Sequence, residues 1–272
     1  MDAPQRDDDT DWPADLPAPV TEQPIGGGLV GRTSRAVLTD GRVVVVKRCP
    51  YPVAGEVDGL AALAAAGVPT PSVLAVSSRV LVLEHVHGEP DWPALGAAIA
   101  RLHRVTGEAF GWHRDNYSGR FPQHNPFSAR WPEFFTEHRV RVHLSDPRLP
   151  DDFRHRLERA CDGPLPAELP DEAIPVLTHG DLWTGNIVDG RWVVDPEVSF
   201  ADRELDLAYM LGPSRYPLPA EFWTGYTADL PLPVDFERRA LVLGLHHRLL
   251  HVRHFGDRAL PALDADLTAL GW

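Results

Sequence analysis

The pattern of apolar and polar positions divides the chain into a strand-rich first part and a helix-rich remainder. Runs of β-branched residues bounded by glycine or proline are typical of strands, and apolar residues every three or four positions are typical of helices. We predict strands over 32–38, 42–47, 73–76 and 80–83. We predict helices over 53–66, 91–104, 131–144, 151–161, 235–255 and 260–272, with a further helix beginning near Asp202.

A short hairpin late in the chain is the most informative segment. Its turn, Asp189-Gly190, lies between two apolar runs, and Asp-Gly in that position is a strong hairpin signal because the turn favours positive φ. Asn186 stands at the entry of the hairpin and a carboxylate, Asp195, stands at its exit. A second carboxylate, Asp181, precedes Asn186 in a short loop with four residues between them.

These three side chains match what phosphoryl transfer from ATP requires. The reaction needs a carboxylate that orients a hydroxyl and metal ions on the phosphates. Asp181 would orient the acceptor hydroxyl and take its proton, whereas Asn186 and Asp195 offer the hard oxygen ligands that Mg²⁺ selects. This spacing is the catalytic-loop pattern of the kinase-like fold. The competing interpretation is an ordinary polar hairpin with capping aspartates.

A glycine-rich turn and a lysine form a second group near the start of the chain. The turn runs from Gly26 to Gly31, and we predict that Gly27 and Gly28 let its backbone approach phosphates. Lys47 ends a β-branched run, and Glu56 lies on the helix that follows. In a kinase fold this lysine binds phosphate oxygens and pairs with such a glutamate. A flexible loop with a solvated lysine is the alternative.

The segment after the predicted strand 80–83 leaves the sheet. In a two-lobed kinase it is the hinge, where backbone groups bind adenine, so Glu84 and Val86 are candidate contacts by position alone. We therefore predict an α+β, bilobal, protein-kinase-like fold, with a small antiparallel sheet lobe carrying one helix and a larger, mainly helical lobe. Its predicted parts are an acidic, Pro-rich lead-in over 1–19, a nucleotide-binding lobe over 20–86 and a catalytic lobe over 87–272.

Several polar residues are candidates for contact with the acceptor. The aromatic segment 110–126 is long for a loop, which favours a functional role, and it contains Asp115 and Asn116. Glu197 follows the hairpin, and Asp202 lies at the start of the next helix. All four are predicted substrate contacts. Asp206, one helical turn after Asp202, is expected to hydrogen-bond the backbone of the Asp181 loop.

Composition narrows the choice of partners. The chain has 272 residues with a net charge of −13, and a negative field repels nucleic acid and anionic membranes while favouring a cationic acceptor. Two distant cysteines support no disulfide framework, and the N-terminus lacks the apolar segment of a signal peptide, so we expect a cytoplasmic protein. The histidines of the helix over 235–255 have no carboxylate or cysteine at ligand spacing, which favours packing over a metal site.

The chain resembles the fructosamine/ketosamine kinases, within the aminoglycoside phosphotransferase-like, protein-kinase-like superfamily. The resemblance spans roughly residues 26–256, and its combination of segments is more specific than the catalytic and metal positions that a generic phosphotransferase would share. The segments that carry it are HGDLWTGN over 179–186, Asp195-Pro196, ADRELDLA over 201–208, LHRVTGEAFG over 102–111, RDNY over 114–117 and WPEFF over 131–135.

The resemblance implies ATP-dependent phosphorylation of a sugar hydroxyl on a ketosamine, the adduct of a sugar and an amine. The phosphorylated adduct is expected to break down and release the amine, which is deglycation. By the same match, Asp181 is the catalytic base, Asn186 and Asp195 bind Mg²⁺, and Lys47 with Glu56 holds the phosphates.

The position of Trp183 and two departures from the family pattern bear on the acceptor. Trp183 offers a flat face to a sugar ring or a cationic amine. Glu197 stands where the family is expected to have a small residue, and the segment 28–31 is less polar than usual. Substrate identity therefore stays open.

Two other functions stay open from the residues. One is a phosphotransferase for another cationic small molecule, such as an aminoglycoside or a choline-like compound. The other is a nucleotide-binding pseudokinase, although that class normally loses one of Lys47, Asp181, Asn186 or Asp195, and all four are present. A protein kinase is disfavoured because no Ala-Pro-Glu-type segment follows Asp195.

Overall fold

A computed structural model describes residues 12–26, 30–211 and 217–272. Gly27 and Gly28, the predicted phosphate contacts in the glycine-rich turn, lie outside the described residues. In the part of the chain that is described, no helix is both long enough and apolar enough to cross a membrane.

The first part of the chain forms a five-stranded antiparallel sheet. Its strands are β1 (Pro19–Pro24), β2 (Arg32–Leu38), β3 (Val43–Arg48), β4 (Val73–Val76) and β5 (Val80–Glu84), and α1 (Ala54–Ala65) lies between β3 and β4 in the chain. The spatial order is β1-β2-β3-β5-β4. Every neighbouring pair is antiparallel, as predicted for a small sheet lobe.

Alternation along β3 and β5 gives the sheet two apolar faces. One face, which includes Val44 and Val82, is covered by Leu16 with Trp12 packed beside it. The described end of the predicted lead-in therefore lies on the sheet. The opposite face includes Leu83 and packs against Leu60 of α1. Because side chains in a strand alternate between faces, the β-branched run that predicted β3 also fixes which of its residues meet α1.

The remainder of the chain is mainly helical. Its helices are α2 (Trp92–Leu102), α3 (Trp131–Phe135), α4 (Asp151–Asp162), α5 (Pro164–Ala167), α6 (Glu204–Leu211), α7 (Ala220–Asp229), α8 (Phe236–Phe255) and α9 (Leu260–Leu270). Within its described residues, three two-stranded sheets are formed by β6 (Asn116–Ser118) with β7 (Phe121–Gln123), β8 (Val176–Thr178) with β11 (Ser199–Ala201), and β9 (Ile187–Val188) with β10 (Trp192–Val193).

Two predicted elements differ from the structure. The single helix predicted over 131–144 is wrong: α3 passes into a π-helical turn, Thr136–Val140, and then a 3₁₀ turn, Arg141–His143. Apolar spacing continues through these turns, so the pattern does not reveal the change in winding. The aromatic segment 110–126, predicted as a loop, contains the β6–β7 hairpin.

Glycines allow two close approaches that position the site. At Gly96 of α2, an added Cβ would lie 2.0 Å from the Phe222 oxygen of α7, and at Gly225 of α7 it would lie 1.9 Å from the Pro93 oxygen. At Gly59 of α1, an added Cβ would lie 3.0 Å from Cγ of Pro196. The helix that carries Glu56 thus rests directly against the segment that follows Asp195.

Candidate active site

A cavity of about 960 Å³ opens between the sheet and the helices. Its sheet side includes Lys47 of β3 and Glu56 of α1, and its floor includes the loop and hairpin that carry Asp181, Asn186 and Asp195. One face of α8 closes the far side. The structure therefore brings together five residues that the sequence proposed for one site.

Lys47 links the sheet to the end of the hairpin. Its Nζ lies 2.5 Å from Oε1 of Glu56 and 2.5 Å from Oδ1 of Asp195. Burial alone would lower the pKa of Lys47, but the two carboxylates together raise it above its ordinary value. The lysine is therefore a permanent cation at the sheet side of the cavity. Asp195 adopts a left-handed backbone conformation, with φ of 57°, and its half-exposed side chain reaches the cavity.

Asn186 holds the loop of Asp181 closed. Its Nδ2 donates to the Asp181 backbone oxygen at 2.8 Å and to Oδ2 of the same residue at 2.7 Å. Since the amide nitrogen is used in this way, the amide oxygen of Asn186 is left for another partner. The 3₁₀ turn Thr184–Asn186 gives the short path between the two side chains.

Asp206 of α6 holds the same loop from below, as predicted. Its carboxylate accepts from the backbone nitrogens of His179 at 2.8 Å and Gly180 at 2.9 Å, and His103 lies 3.1 Å away. Gly180 has φ of 87°, and an added Cβ there would lie 2.3 Å from the Glu197 oxygen. Only glycine fits this conformation and this close approach without strain.

Burial raises the pKa of Asp181 to about 7, and the negative charges of Asp195 and Asp206 act in the same direction. Hydrogen bonds from Asn186 and Tyr209 oppose that rise. A carboxylate with a pKa near neutrality suits proton transfer, because the efficiency of a general base peaks near the working pH. The Asp181 side chain is 23% exposed, which leaves it open to the cavity.

Glu197 is buried at the cavity wall. Burial and the charge of Asp181 raise its pKa well above the ordinary value, while Ser118 and the Gly119 backbone offer hydrogen bonds that act in the opposite direction. Its Oε2 is buried without a hydrogen-bond partner among the described residues. Burial and the neighbouring negative charge therefore favour the protonated form of Glu197 beside the candidate base.

The other predicted contacts divide into two groups. Asn116 and Trp183 line the cavity, and an added Cβ at Gly185 would lie 2.3 Å from the indole of Trp183, so the glycine makes room for that ring. By contrast, Asp115 and Asp202 are not among the lining residues.

Asp115 and Asp202 have local partners instead. Asp115 accepts from the Asn125 backbone nitrogen at 3.0 Å and contacts His124. Asp202 caps α6 by accepting from the Glu204 backbone nitrogen at 2.8 Å, as its position at a helix start suggests.

The two predicted adenine contacts lie at the end of the sheet. Glu84 ends β5, and its side chain accepts from the Ser72 hydroxyl at 2.8 Å. Val86 follows in the segment leading to α2. Neither lines the cavity, whose lining includes Lys47, Glu56 and the surface of α8.

Two side chains next to Asp181 were missed in the sequence. Tyr209 of α6 donates a hydrogen bond to Asp181, and its ring stacks on His247 of α8 with centroids 3.7 Å apart and planes 2° apart. His247 Nε2 lies 3.3 Å from the Gly180 oxygen and 3.9 Å from Oδ1 of Asp181. No spacing signal links α8 to the catalytic loop, because the contact is purely tertiary.

The described residues offer few side chains for metal ligation. In the ranges that the structure describes, no group of three or more histidine, cysteine, aspartate or glutamate side chains is placed to hold a metal ion. Asn186 and Asp195, at the two ends of the hairpin, both line the cavity. That set fits Mg²⁺, which is usually bound by one or two protein oxygens together with substrate phosphates.

The family model described as fructosamine kinase matches residues 19–269. The chain belongs to the fructosamine kinase family. It is thereby a phosphotransferase with an alcohol group as acceptor, and membership of a kinase family implies the use of ATP.

Individual relatives agree with this assignment. A probable ketoamine kinase of Enterococcus faecium is 33% identical over 252 residues, which is 86% of this chain and 89% of the relative. The crystal structure of a Thermobifida fusca protein assigned as a fructosamine-3-kinase is 28% identical, with a TM-score of 0.82 over 94% of this chain and 96% of that one.

More distant structures share the fold alone. A macrolide 2′-phosphotransferase type I is 18% identical, with a TM-score of 0.55 over 93% of this chain and 91% of that one. Together with the antiparallel sheet and the helical remainder, these similarities confirm the predicted bilobal, protein-kinase-like α+β fold.

Proposed function

We propose that this fructosamine kinase family member transfers the γ-phosphoryl group of ATP to a sugar hydroxyl of a ketosamine. The observation that carries the proposal is the convergence of Lys47, Asp195 and the Asp181–Asn186 pair on one cavity. Phosphoryl transfer depends on positioning and charge more than on covalent work by the protein, and this arrangement supplies both.

In the proposed reaction, Asp181 accepts the proton of the acceptor hydroxyl. The hydroxyl oxygen forms a bond to the γ-phosphorus as the bond from that phosphorus to the bridging oxygen of ADP breaks. The raised pKa of Asp181, about 7, makes it a stronger base than an ordinary carboxylate. Asn186 and Tyr209 fix the direction of its carboxylate through their hydrogen bonds.

Lys47 binds phosphate oxygens in this proposal, and Glu56 holds the lysine in place. Asn186 and Asp195 are the residues that would hold Mg²⁺. The ion, when bound, would neutralise charge that develops on the phosphates. Asp195 is suited both to pairing with Lys47 and to holding Mg²⁺. One of its carboxylate oxygens meets Lys47, and the hairpin directs the side chain into the cavity.

Trp183, Asn116 and Glu197 form the proposed acceptor wall. Trp183 offers an aromatic face to the sugar, and Oε2 of Glu197, which has no hydrogen-bond partner among the described residues, can hydrogen-bond to a sugar hydroxyl. The proposal leaves out Asp115 and Asp202, which do not line the cavity and whose carboxylates accept local hydrogen bonds. We further propose that breakdown of the phosphorylated adduct releases the amine, so that the reaction supports deglycation.

An acceptor panel tests the proposal. Release of ADP should be measured with fructosyl-, ribulosyl- and psicosyl-amines, with an aminoglycoside, with choline and without any acceptor. We expect ADP release above the acceptor-free rate only with ketosamines. Turnover of choline or the aminoglycoside alone would favour a phosphotransferase for another cationic small molecule. ATP binding without phosphorylation of any acceptor would favour a pseudokinase.

A further inference from the structure

Helix α1 contacts the rest of the molecule on two sides, and the proposed reaction uses only one of them. On the first side, Glu56 holds Lys47 at the part of the cavity proposed for phosphates. Asp58 lies two residues later. Because an α-helix turns about 100° per residue, the Asp58 side chain leaves the helix roughly 200° away from that of Glu56. Asp58 does not line the cavity, so its carboxylate acts elsewhere.

The carboxylate of Asp58 contacts two consecutive side chains of the segment that follows α2. Its Oδ2 accepts a hydrogen bond from Nε1 of Trp112 at 2.6 Å, and its Oδ1 lies 3.1 Å from Nε2 of His113. The indole is partly buried, whereas His113 is exposed. Hydrogen bonds to a charged acceptor are roughly twice as strong as neutral ones, and water competes less for a buried donor. The Asp58–Trp112 bond is therefore the stronger of the two contacts.

The backbone around Trp112 is tied to the catalytic side of the molecule. The Trp112 backbone nitrogen donates to the Asn125 oxygen at 2.9 Å. The preceding residue, Gly111, exchanges two backbone hydrogen bonds with Phe200 of β11, at 2.9 and 2.8 Å. The rings of Trp112 and Phe200 are 5.2 Å apart. A shift of the indole would therefore disturb the strand that follows Glu197.

The same segment continues into the proposed acceptor wall. Asn116 lines the cavity, and so does Ser118, which offers a hydrogen bond to Glu197. Helix α1 meets this part of the segment directly, because an added Cβ at Gly55 would lie 3.0 Å from Cα of Asn116. The wall is thus held against α1 at two points, which are the glycine contact and the hydrogen bonds of Asp58.

We infer, on the basis of the proposed function, that Asp58 is a positioning residue that aligns the acceptor wall with the phosphate side of the cavity. It acts through Trp112 and lies outside the cavity that would hold ATP and the acceptor. Helix α1 is the connection, with Glu56 on one face and Asp58 on the other. Misplacement by about 1 Å can slow a reaction that depends on alignment by about 10²-fold, so this connection has a direct kinetic consequence.

The test separates the two sides of the cavity by steady-state kinetics with a fructosyl-amine and ATP. Asp58→Leu removes both contacts of the carboxylate. It should raise KM for the acceptor about tenfold and lower kcat about tenfold, because the acceptor wall loses an anchor. KM for ATP should change by less than about threefold, since Lys47 keeps its contacts with Glu56 and Asp195. A merely structural role would lower thermal stability without this difference between the two KM values.

Two conservative variants assign the effect to one hydrogen bond. Asp58→Asn keeps an oxygen that can accept from Nε1 of Trp112, and it should hold kcat and the acceptor KM within about threefold of wild type. Trp112→Phe keeps an aromatic ring near Phe200 but removes the donor, and it should reproduce the Asp58→Leu values. The double variant Asp58→Leu with Trp112→Phe should be no worse than either single variant, because both remove the same contact.

Trp12→Phe is the matched control. The Nε1 of Trp12 also donates a hydrogen bond, to the Leu16 backbone oxygen at 3.1 Å, but its ring packs on the face of the sheet opposite α1. This variant should leave kcat and both KM values unchanged. Circular dichroism of each variant checks that the fold is retained.

The outcomes separate the two proposals. An unchanged acceptor KM in Asp58→Leu and Trp112→Phe, or an equal rise in KM for ATP, would overturn the positioning role while leaving ketosamine phosphorylation standing. Asp58→Asn values as poor as those of Asp58→Leu would overturn it too. If the wild-type protein phosphorylates another acceptor of the panel and no ketosamine, the proposed function fails, and the same comparison with that acceptor decides the role of Asp58. Absence of turnover with every acceptor would overturn both.

Discussion

The ammonium of Lys47 and the carboxylate of Asp195 are 148 positions apart in the chain and 2.5 Å apart in the structure. Their contact joins the central strand of the sheet to the exit of the β9–β10 hairpin, and Glu56 completes it from α1. The pair therefore sets the distance between the part of the cavity that would hold phosphates and the part that carries the base.

Replacing Lys47 by methionine should impair both function and stability. We expect KM for ATP to rise at least about tenfold. We also expect loss of roughly 3 kcal/mol of unfolding free energy, because Glu56 is left as a buried carboxylate without its partner. Steady-state kinetics and urea denaturation measure the two effects. The double variant Lys47→Met with Glu56→Gln should recover most of the stability and none of the activity. If stability stayed low in the double variant, the lost ion pair would not be the cause.

Asp181→Asn should lower kcat at least about 10³-fold, since the amide cannot accept the hydroxyl proton. Affinity for ATP should change by less than about threefold, because the residue acts on the acceptor. Isothermal titration with ATP and Mg²⁺, beside turnover assays, checks this separation. A variant that retained turnover would contradict the role proposed for Asp181.

Activity should depend on pH through the same carboxylate. The pKa of Asp181 is raised to about 7, so the group is protonated below that pH and cannot accept a proton. The acceptor kcat/KM is therefore expected to fall about tenfold per unit below pH 7 and to level off above it. A profile from pH 5 to 9, with Asp181→Asn as the control that should lack this step, measures the effect. A profile already flat from pH 5 upward would show that the free enzyme holds Asp181 ionised.

Replacing either of two helical glycines by alanine should change the unfolding free energy, but in opposite directions. Gly244→Ala places a methyl group in open space on α8 and should raise the unfolding free energy by about 0.5–1 kcal/mol. Gly225→Ala places it 1.9 Å from the Pro93 oxygen and should lower the unfolding free energy by about 1–3 kcal/mol. Thermal denaturation of both variants decides this, and destabilisation by Gly244→Ala would show that this face of α8 is not open.

The fold class was accessible from the sequence because strands with β-branched alternation precede helices with regular apolar spacing. The bounds of β2 and β4 agree with the predicted ranges, since glycine, proline or polar turn residues flank both. The π-helical turn after α3 could not be predicted from the sequence, because it changes the winding of the backbone without interrupting the pattern of apolar residues.

For the candidate site, residue type and spacing could be read from the sequence, whereas the direction of each side chain could not be predicted from it. Asp115 and Asp202 are acidic residues at plausible positions, and only the structure shows that one turns to the Asn125 backbone and the other caps α6. His247 and Tyr209 reach Asp181 from separate helices. Their stacking depends on how α6 packs on α8, which no local pattern encodes.

The central claim is that phosphate moves from ATP to the sugar of a ketosamine at Asp181. Phosphorus NMR of a reaction with a fructosyl-amine, ATP and Mg²⁺ tests it most directly. We predict a new phosphomonoester resonance coupled to a sugar carbon proton, growing as the γ-phosphate resonance declines, and absent with Asp181→Asn. Decline of the γ-phosphate signal into inorganic phosphate alone, or the same product from the Asp181→Asn variant, would contradict the claim.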